Sequence, residues 1–186
     1  MNKGKIYVIS GPSGVGKGTI VKALTAAYDD IKVSVSATTR SPREGEVNGE
    51  SYFFLSKEEF SDTVANDGFI EHAEYCGNCY GTPKKPVYDM LEKGIDVILE
   101  IEVQGGIQVM DKFPEAQGIF ILPPSMKSLE KRLRGRQSET EEAILRRLET
   151  ARYELSQVSK YDYFVVNGPL DQAVADVADI IIKNRD

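Results

Sequence analysis

The run IYVISGPSGVGKGTIVKALTAAY, residues 6–28, constrains the fold more than any other stretch of the chain. Apolar and β-branched residues lead into a glycine-rich turn, and the turn leads into a helical pattern that starts at Lys17. The order is strand, phosphate-cradling loop, helix. Gly11, Gly14 and Gly16 free the backbone so that its N–H groups converge at a helix N-terminus, with Pro12, Ser13 and Val15 between them, while Lys17 can reach the outer phosphates. The loop departs from the usual pattern at its end. The Ser or Thr that holds Mg²⁺ after the lysine is here Gly18, and a hydroxyl comes only one residue later, at Thr19. No protein group is therefore expected to ligate the metal directly. Mg²⁺ should ride on substrate phosphates and water, with Thr19 reaching it at most through a water.

Similar apolar runs recur at residues 96–101 (DVILEI), 118–122 (GIFIL) and 163–167 (YFVVN), separated by helical patterns. Alternation of this kind implies an α/β fold, a parallel sheet covered by helices. Residues 141–158 place Ile144, Leu148, Ala151, Leu155 and Val158 on one face of a long helix, which is core packing. Two regions break the alternation: residues of about 37–82 are polar, aromatic and glycine-punctuated, and residues 134–142 (RGRQSETEE) are almost wholly polar or charged. They read as an insert and a lid on a single domain of 186 residues, whose 41% hydrophobic content is enough for a core. A net charge of −6 argues against a general nucleic-acid binder. No apolar run approaches the roughly 18 residues that would span a bilayer, and the two cysteines are too few for a disulfide framework. A cytoplasmic, soluble protein is the expectation.

Arg40 and Arg43 lie three apart upstream of Tyr52 and downstream of Ser36. Two guanidinium forks near a tyrosine hydroxyl suit a phosphate dianion, although two solvated loop arginines would look the same in sequence. Glu71, Tyr80 and Thr82 follow in FIEHAEYCGNCYGT; a lone glutamate near the end of an apolar run is usually an edge residue unless something donates to it. Glu100 and Glu102 alternate with Leu99 and Ile101, which sends both carboxylates to one side of a strand and leaves metal and base binding both open. Five arginines, Arg132, Arg134, Arg136, Arg146 and Arg147, crowd residues 132–147 of an otherwise acidic chain. Arg134 and Arg146 fit pairing with Glu139, Glu141 and Glu142, whereas Arg132 and Arg136 share a helix face and can point together at a phosphate. His72, Glu74, Cys76 and Cys79 contain pieces of a zinc-deaminase signature, but a single residue separates the pieces and the proline before the first cysteine is missing. They read as ordinary strand and turn residues.

Taken in order, ISGPSGVGKGT, SATTRSPREGEVNGESYFF, GFIEHAEYCGNCYGTP, ILEIEVQGG, LPPS and LRGRQSETEEAILRRL resemble the guanylate kinases along nearly the whole chain. The resemblance implies a three-layer P-loop fold, with a parallel-sheet core of about residues 1–36 and 83–186, a mixed α/β GMP-binding insert of about 37–82 and a helical lid of about 134–146. It implies transfer of the γ-phosphoryl group of ATP to GMP, with Mg²⁺. Residue by residue, it assigns Ser36, Glu71, Thr82 and Glu102 to guanine, and Arg40, Arg43, Tyr52 and Tyr80 to the GMP phosphate. The glycine loop from Gly11 to Thr19, Arg132, Arg136 and Asn167 fall to ATP, and Lys17, Arg40, Arg136 and Arg147 to catalysis. Partners are then ATP and GMP, with no nucleic acid or membrane, and the oligomeric state stays open. Two other readings remain: a non-catalytic interaction module of the same fold, and a kinase for another nucleoside monophosphate.

Overall fold

The computed structural model describes residues 3–75, 77–135 and 140–185. Its larger sheet is built from β1 (Ile6–Ser10), β2 (Ile31–Val33), β7 (Asp96–Glu100), β8 (Gln117–Leu122) and β9 (Tyr163–Val166), in the order β2-β7-β1-β8-β9. Every pairing in it is parallel. Helices α1 (Lys17–Ala27), α3 (Lys84–Leu91), α4 (Val103–Lys112), α5 (Met126–Arg134), α6 (Glu141–Ser156) and α7 (Leu170–Lys183) are disposed about this sheet. The four runs singled out in the sequence are four of its five strands, β1, β7, β8 and β9. The first three are legible because burial on both faces makes them nearly continuously apolar, whereas β9 leaves Phe164 and Val166 exposed at the sheet edge.

Alternation along each strand divides the core into two layers. Tyr7 and Ile9 of β1, Ile98 of β7, and Ile119 and Ile121 of β8 pack with Ile20 and Leu24 of α1, Leu129 of α5, Leu148 of α6 and Val177 of α7. Ile6, Val8, Val97, Leu99 and Phe120 point the other way, onto Val87 of α3 and Val103 and Val109 of α4. Burying one such side chain is worth about 1.5–3 kcal/mol, so these two layers hold the three-layer sandwich together.

Residues 37–83 carry a separate four-stranded sheet, β4-β3-β6-β5, made of β3 (Ala37–Thr38), β4 (Phe53–Phe54), β5 (Phe69–Tyr75) and β6 (Asn78–Pro83). β5 and β6 form an antiparallel hairpin. Helix α2 (Lys57–Ala65) begins at a capping box in which Ser56 accepts from the Glu59 N–H and Glu59 accepts from the Ser56 N–H. It contributes Phe60 to a small third core with Ala37 and Phe69.

One expectation is corrected in detail. The long helix of residues 141–158 stops at Ser156, and Val158 opens a short 3₁₀ turn, Val158–Lys160. Within the region of about 134–146, Arg134 ends α5 and Glu141 starts α6, behind Thr140, whose side chain accepts from the Ala143 N–H. Among the described residues no helix is long and apolar enough to cross a membrane.

Candidate active site

Parallel sheets bind ligands beyond the carboxyl ends of their strands, and the glycine loop occupies that position after β1, the central strand. Gly16 precedes α1 with φ 101° and no side-chain cap, which leaves the first N–H groups of the helix free for an anion. No larger residue fits there: a Cβ at Gly16 would stand 2.5 Å from Asn167 Nδ2, on a backbone that L-residues rarely adopt. At Gly11 a Cβ would meet the Ile121 carbonyl oxygen at 2.4 Å. Buried Val15 plugs the loop into the core. Its carbonyl accepts from both Arg132 Nη1 and Asn167 Nδ2 at 2.7 Å, and Arg132 Nη2 also donates to the Asn167 carbonyl at 2.9 Å. Arg132 and Asn167 thus brace the loop from behind. Arg132 is engaged with these two carbonyls, and Arg136, which shares its helix face by spacing, lies outside the described residues.

Lys17 folds back so that Nζ donates to the Gly11 carbonyl at 2.5 Å. Arg147 reaches across from α6 to donate to Ser13 Oγ at 2.6 Å. Ser13, Gly14, Lys17, Gly18 and Thr19 line a cleft of about 680 Å³ that Glu100 and Glu102 close on the far side. The two glutamates share the cleft for a reason other than strand alternation: β7 ends at Glu100, and Glu102 is the N-cap of α4.

Glu100 is placed by the parallel register, which sets it opposite Ile9. Its Oε1 comes 3.4 Å from where a Cβ on Gly18 would sit. A carboxylate therefore stands at the spot a Ser or Thr hydroxyl would approach. The surrounding protein mass pushes the Glu100 carboxyl up and Glu102 adds to the shift, while Lys17 opposes both. Among the described residues no group of three or more His, Cys, Asp and Glu side chains could hold a metal ion. His72 packs edge-on to Phe60 instead, and Cys76 lies outside the described residues.

The insert gathers a second set. The Arg40 guanidinium lies 5.3 Å from the centre of the Tyr52 ring, and Tyr52 meets Tyr80 edge to face at 6.2 Å. Arg40, Tyr52 and Tyr80 thus form one cluster. Glu46, which the sequence did not single out, grips Arg40 with two 2.9 Å bonds to Nη1 and Nη2 and also accepts the Arg43 N–H at 2.7 Å. The Arg40 bonds hold the Glu46 carboxyl down to about 2. Arg43 itself is exposed. Deeper in, Glu71 is 8% exposed and accepts from Thr82 Oγ1 at 2.8 Å. Burial raises its carboxyl, against the Thr82 bond. Glu71 Oε2 lies 3.6 Å from a Cβ built on Gly105, in the first turn of the helix that Glu102 caps. That turn joins the insert to the loop cleft. Ser36, half-buried just before β3, accepts the Phe53 N–H through its carbonyl at 2.8 Å.

The arginines of α5 and α6 separate as their charges suggest. Arg134 pairs with Glu130 and Glu141, and Arg146 with Glu142, all on the surface. Arg132 and Arg147 turn to the loop.

The family model for guanylate kinase matches residues 3–184. The chain belongs to the guanylate kinase family. It is 52% identical over 184 residues to a guanylate kinase of Clostridium perfringens, covering 99% of this chain and 85% of that one. A guanylate kinase of Synechocystis is 53% identical over 172 residues, 92% of this chain and 90% of its own. Among solved structures, the crystal structure of guanylate kinase from Anaplasma phagocytophilum superposes with a TM-score of 0.78 at 35% identity, over 99% of this chain and 87% of that one.

Proposed function

We propose that this enzyme moves the γ-phosphoryl group of ATP onto GMP by alignment and charge neutralisation alone. As a guanylate kinase it makes ADP and GDP from ATP and GMP. The reading of its site rests on one observation above the rest: a buried glutamate with a threonine hydroxyl, Glu71 and Thr82, one helical turn away from the loop cleft. Guanine offers N1–H and N2–H₂ donors to a carboxylate and an O6 acceptor to a hydroxyl, whereas adenine offers an N1 lone pair that Glu71 would repel. Two donors on Glu71 favour the ionised form that burial alone disfavours. Ser36 and Glu102 complete the base site in this reading.

Arg40, Arg43, Tyr52 and Tyr80 take the GMP phosphate. Its acceptor oxygen is already ionised near neutrality, because the second pKa of a phosphate monoester is about 6. No general base is needed. The loop N–H groups from Gly11 to Thr19 cradle the ATP phosphates, and Lys17 exchanges the Gly11 carbonyl for a phosphate oxygen. Arg147 and Arg136 neutralise charge on the transferring group, and Arg132 adds its charge from behind the loop while Asn167 borders the adenine side. Mg²⁺ carried with ATP would supply further charge neutralisation there. Glu100, beside Gly18, is the carboxylate best placed to orient its waters. The insert of about residues 37–82 and the lid of about 134–146 close on the core to exclude water, which would otherwise compete as acceptor. We place this work in the cytoplasm, where both nucleotides are at hand.

The test is ATP turnover against a panel of monophosphates. GMP should be preferred over AMP, UMP and CMP. A chain that binds GMP without turnover would be an interaction module, and one that prefers another monophosphate would overturn the assignment of Glu71.

A further inference from the structure

The larger sheet ends on two unlike edges. At one, β2 has three residues with Lys32 in the middle, short and charged as open edges commonly are. In the insert the β4 edge has two residues, and the β5 edge exposes His72 and Glu74. The other edge of the larger sheet, β9, reads YFVV, with no charge, proline or bulge. Val165 is buried on the side of α7, whereas Phe164 and Val166 turn the other way and are 66% and 46% exposed. The main chain is open too. Asn167 donates its N–H to the Leu122 carbonyl of β8, so alternation points the N–H and C=O groups of Val165 at β8 and those of Phe164 and Val166 outward. Among the described residues those two N–H groups have no partner, and of the two carbonyls only that of Val166 has one, the Gly168 N–H at 2.9 Å.

Helix α7 runs back along this strand, since its C-cap Asn184 accepts from the hydroxyl of Tyr163, the first residue of β9, at 3.2 Å. A helix rises about 1.5 Å per residue and a strand about 3.3 Å, so Val165 stands level with Ile180. Strand and helix bound a groove of about 580 Å³, whose helix side is Asp176, Asp179, Ile180 and Lys183. Asp176 lies to one side of the level of Val165 and Lys183 to the other.

We propose that β9 is a dimer edge, on which a second copy of this chain lays its own β9 antiparallel about a two-fold axis through Val165. The axis sets Phe164 opposite Val166 of the second copy, and Val166 opposite its Phe164. Each is an aromatic and β-branched cross-strand pair, and the outward N–H and C=O groups of both residues are exchanged across the contact. The same axis turns Asp176 toward Lys183 of the second copy, and Lys183 toward its Asp176. Asp179, 3.5 Å from Lys183 on its own helix, shares that lysine. A groove of a single sign would suit a peptide of opposite charge. An acid at one end and a base at the other suit a copy turned end over end. The two-fold also closes the contact on itself, so that a bare edge ends in a dimer and not in a growing sheet.

The experiment is sedimentation velocity of the whole chain from about 1 to 100 µM, with backbone amide exchange at the two ends of that range. Wild type should pass from monomer to dimer, and the amides of Phe164 and Val166 should slow as it does, while those of β2 stay unchanged. Phe164→Lys and Val166→Lys should each raise the dimer Kd at least about tenfold. Tm and GMP-dependent ADP formation should stay near wild type, because neither residue belongs to the proposed nucleotide sites. Asp176→Lys and Lys183→Asp should each weaken the dimer, and the two together in one chain should recover most of the affinity. A wild type that stays monomeric overturns the proposal, whether the edge is then covered by another protein or by another part of this chain. A dimer that Phe164→Lys leaves intact overturns it by placing the interface elsewhere. Should the lysine variants not fold, the charge-exchanged double variant decides alone, and no recovery in it overturns the two-fold pairing.

Discussion

Between Gly11 and Thr19 the groups proposed to meet phosphate are mostly main chain, held in one shape by φ angles that favour glycine and by Arg132, Asn167 and Val15 behind them. Between Ser36 and Thr82 every proposed contact is a side chain, and the central ones are already paired within the insert: Arg40 with Glu46, and Thr82 with Glu71. The donor side is pre-formed because the backbone is locked by the largest core in the molecule. The proposed acceptor side rests on a small core of Ala37, Phe60 and Phe69, and its charged groups Arg40 and Glu71 already have partners in Glu46 and Thr82. Rigidity suits a polyphosphate common to many reactions. Exchangeable pairing suits a base that must be told from its neighbours.

The comparison breaks most sharply at Lys17. Lys17→Ala should lower GMP-dependent ADP formation at least roughly 10²- to 10³-fold, with an unchanged Tm, because Lys17 packs on the Gly11 carbonyl rather than in a core. Near-normal turnover in a coupled assay would refute a charge-based donor site.

Glu71→Gln tests the acceptor side. Losing a charged acceptor costs about 1.5–3 kcal/mol, so kcat/KM for GMP should fall roughly 10- to 150-fold, with AMP turnover falling less and MgATP affinity unchanged. The same variant reads the pH dependence. Burial raises the Glu71 carboxyl, so its ionised fraction, the form that accepts guanine, is lost as pH falls sooner than for an ordinary glutamate. An acid limb present in wild type and absent in Glu71→Gln is the expected result; equal losses for GMP and AMP would withdraw Glu71 as the base reader.

A smaller effect is expected from Glu46→Gln. It keeps the shape beside Arg40 but weakens the two-pronged hold, so the KM for GMP should rise severalfold with kcat little changed. A falling KM would show that Glu46 competes with the phosphate rather than orienting its clamp.

Smallest is Gly18→Ser. Gly18 is helical with no strain to relieve, and the nearest atom to a new Cβ is Glu100 Oε1 at 3.4 Å, an ordinary contact. The variant should fold as wild type and keep kcat within about twofold, while the Mg²⁺ concentration for half-maximal rate shifts modestly as a hydroxyl joins Glu100. No shift in Mg²⁺ dependence would detach Glu100 and residue 18 from the metal.

The sequence by itself determined the parallel core and the donor loop. Strands buried on both faces are continuous apolar runs, and a glycine loop announces its own backbone geometry, so both are local in the chain. β2 escaped because three residues at a sheet edge, only the first of them buried, leave no run to read. The family motifs pointed to Arg40, Tyr52, Glu71, Tyr80 and Thr82, but not to what each touches in the folded chain. Those pairings were decided only by tertiary structure: Glu46 on Arg40, Arg132 on the Val15 carbonyl, and Glu100 against Gly18. None of them left a trace in the sequence pattern. A hydrogen bond or ion pair between residues tens of positions apart depends on strand register and helix packing, and the letters at its two ends are the same whether or not the fold brings them within 3 Å.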